Sequence, residues 1–174
     1  MKKFKRLVAL VLAGVLALGL LTACGTSTNK FGEEAEKRMI AGINSVRSEN
    51  SVPLTNDSEL RTKCANALKS IDSNGTIALK DTVLSEVKSG NNTRIITVIM
   101  VSTSPTFNSA YIKAHPNQRV SAMVLTSKDF GNMTPSIKNA DDQEFYDTIE
   151  RLGVATLTTA DGKTYLAMAM QKSV

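Results

Sequence analysis

Apolar residues recur at helical spacing over the first part of the chain, in two runs that Pro53 separates. The first run predicts a helix from Glu33 to Glu49, whose acidic first turn lies where the helix dipole favours negative charge. Because proline ends helical continuation, we expect a second helix, with Asn56 as its N-cap and Glu59 completing a capping box. The apolar stripe of this second helix comprises Leu60, Cys64, Ala67, Leu68 and Ile71.

Strand patterns mark two later stretches. Thr93–Val101 is rich in β-branched residues and almost continuously apolar, which predicts a central strand buried on both faces. Such a strand needs a layer on each side and therefore favours an α/β/α arrangement. Val154–Thr158 and Lys163–Met170 predict a hairpin around the tight-turn pair Asp161-Gly162. Alternation on the returning strand places Leu166, Met168 and Met170 on one face and Tyr165, Ala167 and Ala169 on the other.

The segments between these elements predict shorter helices over residues 104–114, 118–128 and 141–151. In the second of these, Val120, Met123 and Val124 supply the apolar positions. Residues 131–139 predict a loop, and residues 76–88 are ambiguous.

The chain begins with a basic segment, an uninterrupted apolar run over residues 7–20 and a small-residue motif. The run is too short for a comfortable transmembrane span but has the length of a secretory signal core. Leu21-Thr22-Ala23-Cys24 follows in register and matches the bacterial lipobox. We therefore predict a signal peptide over residues 1–23, cleaved between Ala23 and Cys24, then a lipidated Cys24 with a flexible tether over 24–32, and one domain over 33–174. The alternative is an ordinary signal peptide followed by a chance cysteine.

The net charge of +5 arises mainly from this leader. Four of the 21 basic residues lie in the first six positions, leaving 17 basic against 16 acidic residues. With 5% aromatic residues and no Trp, the sequence offers neither the basic surface nor the stacking rings of a nucleic-acid-binding protein. We therefore expect no nucleic-acid partner, and no cofactor beyond the covalent lipid on Cys24.

Residue types that carry chemistry are sparse. Cys64 lies on the apolar side of its helix, where we expect a small buried hydrophobe rather than a redox group. Met168 and Met170 are assigned to the core rather than to a soft-metal site, because no third sulfur or His has useful spacing. His115 is the only histidine, and so the only imidazole base that a serine nucleophile could use.

Three carboxylates near the start of the first helix could suggest a metal site. A solvated turn stabilised by the helix dipole is the favoured interpretation. These residues are Glu33, Glu34 and Glu36.

Three short sequence motifs follow one another along the chain. They are Ile43-Asn44-x-x-Arg47 with Pro53-Leu54-x-x-Asp57-x-x-Leu60-x-x-x-Cys64-Ala65, then Pro116-Asn117-Gln118-Arg119 with Met123, then Ile149-x-x-Leu152-Gly153-Val154 running through Asp161-Gly162 to Tyr165. Together they resemble the CAP superfamily, or SCP domain, of cysteine-rich secretory and pathogenesis-related proteins. The resemblance spans about residues 33–171. It implies an α+β fold, a single-domain three-layer α/β/α sandwich.

The chain departs from this family at the positions that would make a metal cleft. Members with an intact cleft carry two His and two acidic residues that bind a divalent metal. Here Gln118 stands at the second His position, residues 69–92 contain no His, and the usual Gly-Glu-Asn strand has no counterpart. The comparison therefore predicts no metal ligand and no catalytic residue, and leaves the ligand-binding residues unassigned.

The expected function is that of a non-enzymatic lipoprotein domain, displayed on the extracytoplasmic side of a bacterial cell membrane. Its partners would be the membrane, through the lipid anchor, and a lipid, a peptide or a cell-wall fragment as ligand; alternatively it would act as a structural partner in the cell envelope. The alternatives are a degenerate cell-wall hydrolase or peptidase, and a small solute-binding lipoprotein.

Overall fold

The computed structural model describes residues 30–90, 92–105 and 107–174. Ala23, Cys24 and the predicted signal peptide lie outside the described residues. The described chain is a mixed α+β fold with helices and two antiparallel sheets. The helices are α1 Lys30–Ser45, α2 Ser58–Leu68, α3 Leu79–Thr82, α4 Ser109–Ala114 and α5 Ala140–Asp147, with a 3-10 helix at Ser127–Asn132. The strands are β1 Thr76–Ala78, β2 Val83–Gly90, β3 Thr93–Val101, β4 Arg119–Ser121, β5 Arg151–Thr158 and β6 Thr164–Ser173.

The main sheet has four strands in the order β2-β3-β6-β5, and all three pairings are antiparallel. The predicted terminal hairpin is confirmed as β5 and β6. Gly162 has a φ of +82° in the connecting turn, a conformation that glycine adopts without steric cost. The second sheet is the short pair β1 and β4.

Two apolar clusters divide the alternating side chains of β6 as predicted. Tyr165, Ala167 and Ala169 pack in one cluster with residues of α2, including the fully buried Cys64. Leu166 and Met170 pack in the other cluster, which includes Ile43 of α1. Both long predicted helices therefore supply core residues, each to a different cluster.

The prediction that β3 is buried on both faces was wrong in part. Ile99 and Val101 are buried, but Ile96, Val98 and Met100, which alternate with them, are only half-buried. β3 is still a central strand, since β2 and β6 flank it. The face of the main sheet that carries Ile96, Val98 and Met100 is thus left partly open.

The predicted helix over residues 118–128 was also wrong. The segment instead forms β4, where Val120 pairs with Ile77 of β1 and is 7% exposed. Arg119 donates from Nε to the hydroxyl of Thr76, at 2.8 Å, and so ties the two short strands together. Met123 and Val124, which had completed the helical pattern, are exposed. The spacing of Val120, Met123 and Val124 matches a helical period, but these residues do not form a buried apolar stripe.

Other helix boundaries differ in extent. α1 begins at Lys30 rather than Glu33. α5 ends at Asp147, where the C-cap Thr148 donates its N–H to the carbonyl of Glu144, and β5 begins at Arg151. Within residues 104–114 only α4 is helical, since Asn108 caps it by accepting from the N–H of Tyr111 at 2.8 Å. The 3-10 helix extends to Asn132, into the segment predicted as a loop.

The start of α2 requires a correction to its cap. Asp57, not Asn56, is the N-cap and accepts from the N–H of Leu60 at 3.0 Å. Asn56 instead bonds the edge of the sheet: its side chain accepts from the N–H of Val154 at 2.8 Å and donates to the same residue's carbonyl at 3.0 Å. A shift of one residue thus gives the Asn side chain a strand-pairing role.

Glu36 contradicts the prediction of a solvated acidic turn. It is 6% exposed and accepts from Nε of Arg61 at 2.9 Å. It also accepts from the N–H and the hydroxyl of Thr156, both at 3.0 Å. Because α1 begins before Glu33, Glu36 lies beyond the first turn and faces the sheet. Glu34 pairs instead with Arg38 across an exposed helical turn.

Candidate functional site

A cavity of about 420 Å³ lies where residues 47–57 pass residues 147–151. This volume is within the range of small-ligand sites. Its lining residues are Arg47, Ser51, Val52, Pro53, Leu54, Thr55, Asp57, Asp147, Ile149, Glu150 and Arg151. The lining therefore combines both signs of charge with hydroxyl groups and a few apolar side chains.

The first patch of the sequence motif builds one wall of this cavity. Asn44, near the end of α1, donates to the carbonyl of Leu54 and accepts from its N–H, both at 2.8 Å. This two-way contact holds the loop between α1 and α2 against its preceding helix. Pro53 then lines the cavity, while Leu54 is buried in the core.

Arg47 is held by backbone carbonyls rather than by a carboxylate. Its Nη1 donates to the carbonyls of Tyr146 and Ile149, the latter at 3.0 Å, and Nη2 donates to that of Val52 at 3.3 Å. Its Nε is buried and has no hydrogen-bond partner in the part of the chain that the structure describes. Among the described residues, no carboxylate forms an ion pair with Arg47. Its guanidinium group therefore lines the cavity bonded to backbone carbonyls rather than to a carboxylate.

Asp147, the last residue of α5, supplies an anion to the same cavity. Its carboxylate accepts from the N–H of Ser48 at 2.8 Å, from the Ser48 hydroxyl, and from the Ser51 hydroxyl at 3.2 Å. These bonds, chiefly that from the Ser48 side chain, lower the pKa of Asp147 to about 2. Because this pKa lies far below 7, Asp147 is negatively charged at neutral pH, and no described basic residue is ion-paired with it.

The remaining charged residues of the lining are largely engaged. Arg151 donates from Nη2 to Asp57 at 2.8 Å and to Glu59 at 3.0 Å. The hydrogen bond from Arg151 is the main reason that the pKa of Asp57 is lowered. Glu150 accepts from the hydroxyl of Ser173 at 3.0 Å and is the third carboxylate of the lining, beside Asp147 and Asp57.

This arrangement suits a ligand that carries both charges. A carboxylate of the ligand would meet the Arg47 charge, and an ammonium group would meet Asp147 and Glu150. Charged groups in a partly desolvated cavity interact more strongly than groups in bulk water. An amino acid or the termini of a short peptide would have this pattern.

The residues singled out for other chemistry lie elsewhere. His115 is exposed, stacks on the ring of Tyr111 with centroids 4.4 Å apart, and places Nδ1 3.2 Å from the Tyr111 carbonyl oxygen. Gln118 is also exposed, and its Oε1 accepts from the Tyr111 hydroxyl at 3.1 Å. Neither lines the cavity.

Cys64 lies in the core, as its position on the helix predicted. It is a free cysteine, and burial raises the pKa of its thiol to about 12. The thiolate required for nucleophilic chemistry is therefore disfavoured. Within the parts of the chain that the structure describes, no group of three His, Cys, Asp or Glu residues could hold a metal ion.

A second, smaller cavity of about 180 Å³ lies on the partly open face of the main sheet. Its apolar lining comprises Ile96, Val98, Met100, Phe145, Ile149 and Met170. Ile149 also lines the polar cavity, so the two are neighbours. The half-buried face of β3 accounts for this groove.

Arg47 belongs to a motif that the sequence reveals, whereas nothing in the sequence singled out Asp147 as a site residue. The aspartate was one of several acidic residues in a predicted helix, and no local pattern distinguished it. It meets Ser48 only because α5 folds back onto the end of α1, a contact 99 residues apart in sequence.

No family model, curated protein or solved structure matches this chain. Among residues 30–90, 92–105 and 107–174, none of the helices has both the length and the apolar character needed to span a bilayer.

Proposed function

We propose that this protein is a membrane-anchored, extracytoplasmic lipoprotein whose CAP-like domain binds a zwitterionic ligand such as an amino acid or a short peptide. One observation supports this class of ligand. Arg47 and Asp147 line the same 420 Å³ cavity, and neither is ion-paired with another described residue.

The CAP-like three-layer sandwich is part of this proposal. It is supported by α1 and α2, whose buried residues join the two clusters formed by alternating residues of β6. It is also supported by the motif residues, because Asn44 and Arg47 hold the loop and Asp57 caps α2. In this proposal the motif maintains the scaffold, and one of its residues, Arg47, also supplies a binding charge opposite in sign to Asp147.

Binding without catalysis is the favoured form of the proposal. The cavity lining contains neither His nor Cys. A degenerate hydrolase would need an oriented base beside its nucleophile. If His115 were that base, His115→Ala would abolish hydrolysis, whereas our proposal predicts that the substitution leaves ligand binding unchanged.

Calorimetric titration of the full-length chain with alanyl-alanine tests the ligand class. We expect binding of the free dipeptide and about tenfold weaker binding when its amino group is acetylated or its carboxyl group is amidated, a difference of about 1.4 kcal/mol. Equal affinity for free and capped dipeptides, or no binding of either, would contradict the proposal.

Asp147→Asn supplies the matched protein variant. The substitution removes the negative charge from the cavity while keeping an oxygen that can accept from Ser48. Asp161→Asn is the control, because Asp161 also has a pKa near 2 but lies in the β5–β6 turn, where Lys163 is its main partner. We expect weaker dipeptide binding from the first variant alone.

The anchor is tested separately by labelling cells with a tagged fatty acid. We expect the chain to incorporate the label and to sediment with membranes, and Cys24→Ser to lose both properties. Incorporation of the label by the Ser variant would refute lipidation at Cys24 and leave the ligand proposal unaffected.

A further inference from the structure

The strand β2 forms one edge of the main sheet and has an outward row of backbone groups. Arg94 and Val174 exchange N–H···O=C bonds on the β6 side of β3, at 3.2 and 2.7 Å. Because backbone direction alternates along a strand, the intervening β3 residues bond β2. The register then directs the N–H and C=O groups of Ser85, Val87 and Ser89 away from the sheet.

The outward edge also carries apolar side chains. Val83 is 41% exposed and Val87 is 50% exposed. Val87 is directly opposite Ile96, which lines the apolar groove. An eight-residue edge strand with exposed valines and no proline is a template for pairing with another strand.

The charges of β2 distinguish between the ways in which a second copy could pair with it. In an antiparallel pair centred on Val87, Glu86 lies opposite Lys88 of the second copy, and the reverse pair also forms. A shift that centres the pair on Glu86 places two glutamates opposite each other, and one that centres it on Lys88 places two lysines opposite each other. Opposite charges across strands stabilise the pair, and like charges destabilise it.

We propose that β2 pairs with β2 of a second copy of this chain, antiparallel about a two-fold axis at Val87. The direction of the backbone groups agrees with this centre, since the outward groups of Val87 meet those of its symmetry mate. The two main sheets become one sheet of eight strands. Val87 and Ile96 of each copy then form a continuous apolar row across the axis.

Charge exchange on β2 tests the proposal and its register. Sedimentation of the full-length chain in mild detergent, up to about 1 mM, covers the range of a weak interface. Glu86→Lys and Lys88→Glu should each weaken self-association at least about tenfold, because each places like charges opposite each other. The double variant restores opposite charges and should recover self-association.

Val87→Pro provides a second test that spares the fold, because the N–H it removes points outward in the single copy. It should abolish self-association, and circular dichroism should show an unchanged melting profile. All variants share the same leader, so differences among them report on β2. The proposal is overturned if the parent chain is monomeric throughout, if the single charge variants associate as the parent does, or if the double variant fails to recover.

Discussion

The two edge strands of the main sheet, β5 and β2, differ in what meets their outward backbone groups. On β5, the Asn56 side chain bonds both backbone groups of Val154, and Glu36 accepts from the N–H of Thr156. On β2, no described residue bonds the outward groups of Ser85 or Val87. The edge of β5 is thus closed by a few side chains and by the bond from the N–H of Asp57 to the carbonyl of Leu152, at 2.8 Å, without a further strand of the sheet.

Four charged residues form two ion pairs beside the closed edge of β5. Glu36 pairs with Arg61, and Asp57 pairs with Arg151, so both carboxylates have guanidinium partners beside this edge. The carboxylate of β2, Glu86, pairs instead with Lys63 of α2 and remains 46% exposed. The same residue type is structural at one edge and solvent-facing at the other.

The largest effect is expected from a methyl group at the closed edge. In Gly153→Ala, the new Cβ would lie 2.4 Å from Cβ of Leu60 and 2.5 Å from the backbone nitrogen of Arg61. The backbone of α2 must move, so we expect a loss of about 3 kcal/mol or more in the free energy of unfolding in urea. Gly90→Ala on β2 is the control, because its Cβ would meet nothing within 4 Å, and it should change stability by less than about 0.5 kcal/mol. Equal losses of unfolding free energy in Gly153→Ala and Gly90→Ala would contradict the inferred difference in packing between β5 and β2.

A smaller loss is expected from Glu36→Ala. The substitution leaves Arg61 and the N–H of Thr156 without their partner in a mostly buried position. Breaking such a pair should cost about 2 to 4 kcal/mol in urea unfolding. The exposed Glu86→Ala should cost less than about 1 kcal/mol, and a comparable loss there would count against the distinction.

The smallest effect concerns acid stability. The pKa of Asp57 is lowered, chiefly by the hydrogen bond from Arg151, so its contribution to folding is present above the unfolded pKa of about 4 and is lost as pH falls through the lowered value. In Asp57→Asn, we expect stability to decline less steeply below about pH 4, by about 1 kcal/mol or less because the pair is partly exposed. Thermal melts at a series of pH values measure this slope, with Glu86→Gln as the β2 control. If the stability of Asp57→Asn declined with falling pH as steeply as that of the parent chain, Asp57 would make no contribution to the acid sensitivity.

Local periodicity sufficed to predict α1, α2, the central position of β3 and the terminal hairpin, because each pattern extends over several turns or pairs. It failed for β4, since a three-residue strand has no period of its own and Val120 is fixed by Ile77, far earlier in the chain. It also failed for Glu36, whose burial depends on contacts with Arg61 and Thr156. Long-range contacts of this kind leave no local signature.

The residues of the candidate site also differ in whether the sequence could predict them. The motif contains Asn44 and Arg47, and Asn44 bonds the nearby backbone of Leu54. Arg47 bonds the carbonyl of Val52 nearby but also those of Tyr146 and Ile149, 99 and 102 residues further along the chain. Asp147 joins these motif residues only through the return of α5 to residues 48–51. The motif therefore included Arg47 as a scaffold residue, and neither charge of the cavity was predicted from the sequence as a binding residue.

Amide hydrogen exchange, measured by NMR residue by residue at two protein concentrations, tests the difference between the edges most directly. We predict that the N–H groups of Val154 and Thr156 are protected at both concentrations, because side chains of the same copy hold them. The N–H of Val87 should exchange rapidly in dilute solution and become protected in concentrated solution, as β2 pairs with a second copy. Protection of Val87 in dilute solution equal to that of Val154, or rapid exchange of Val87 at both concentrations, would contradict the account.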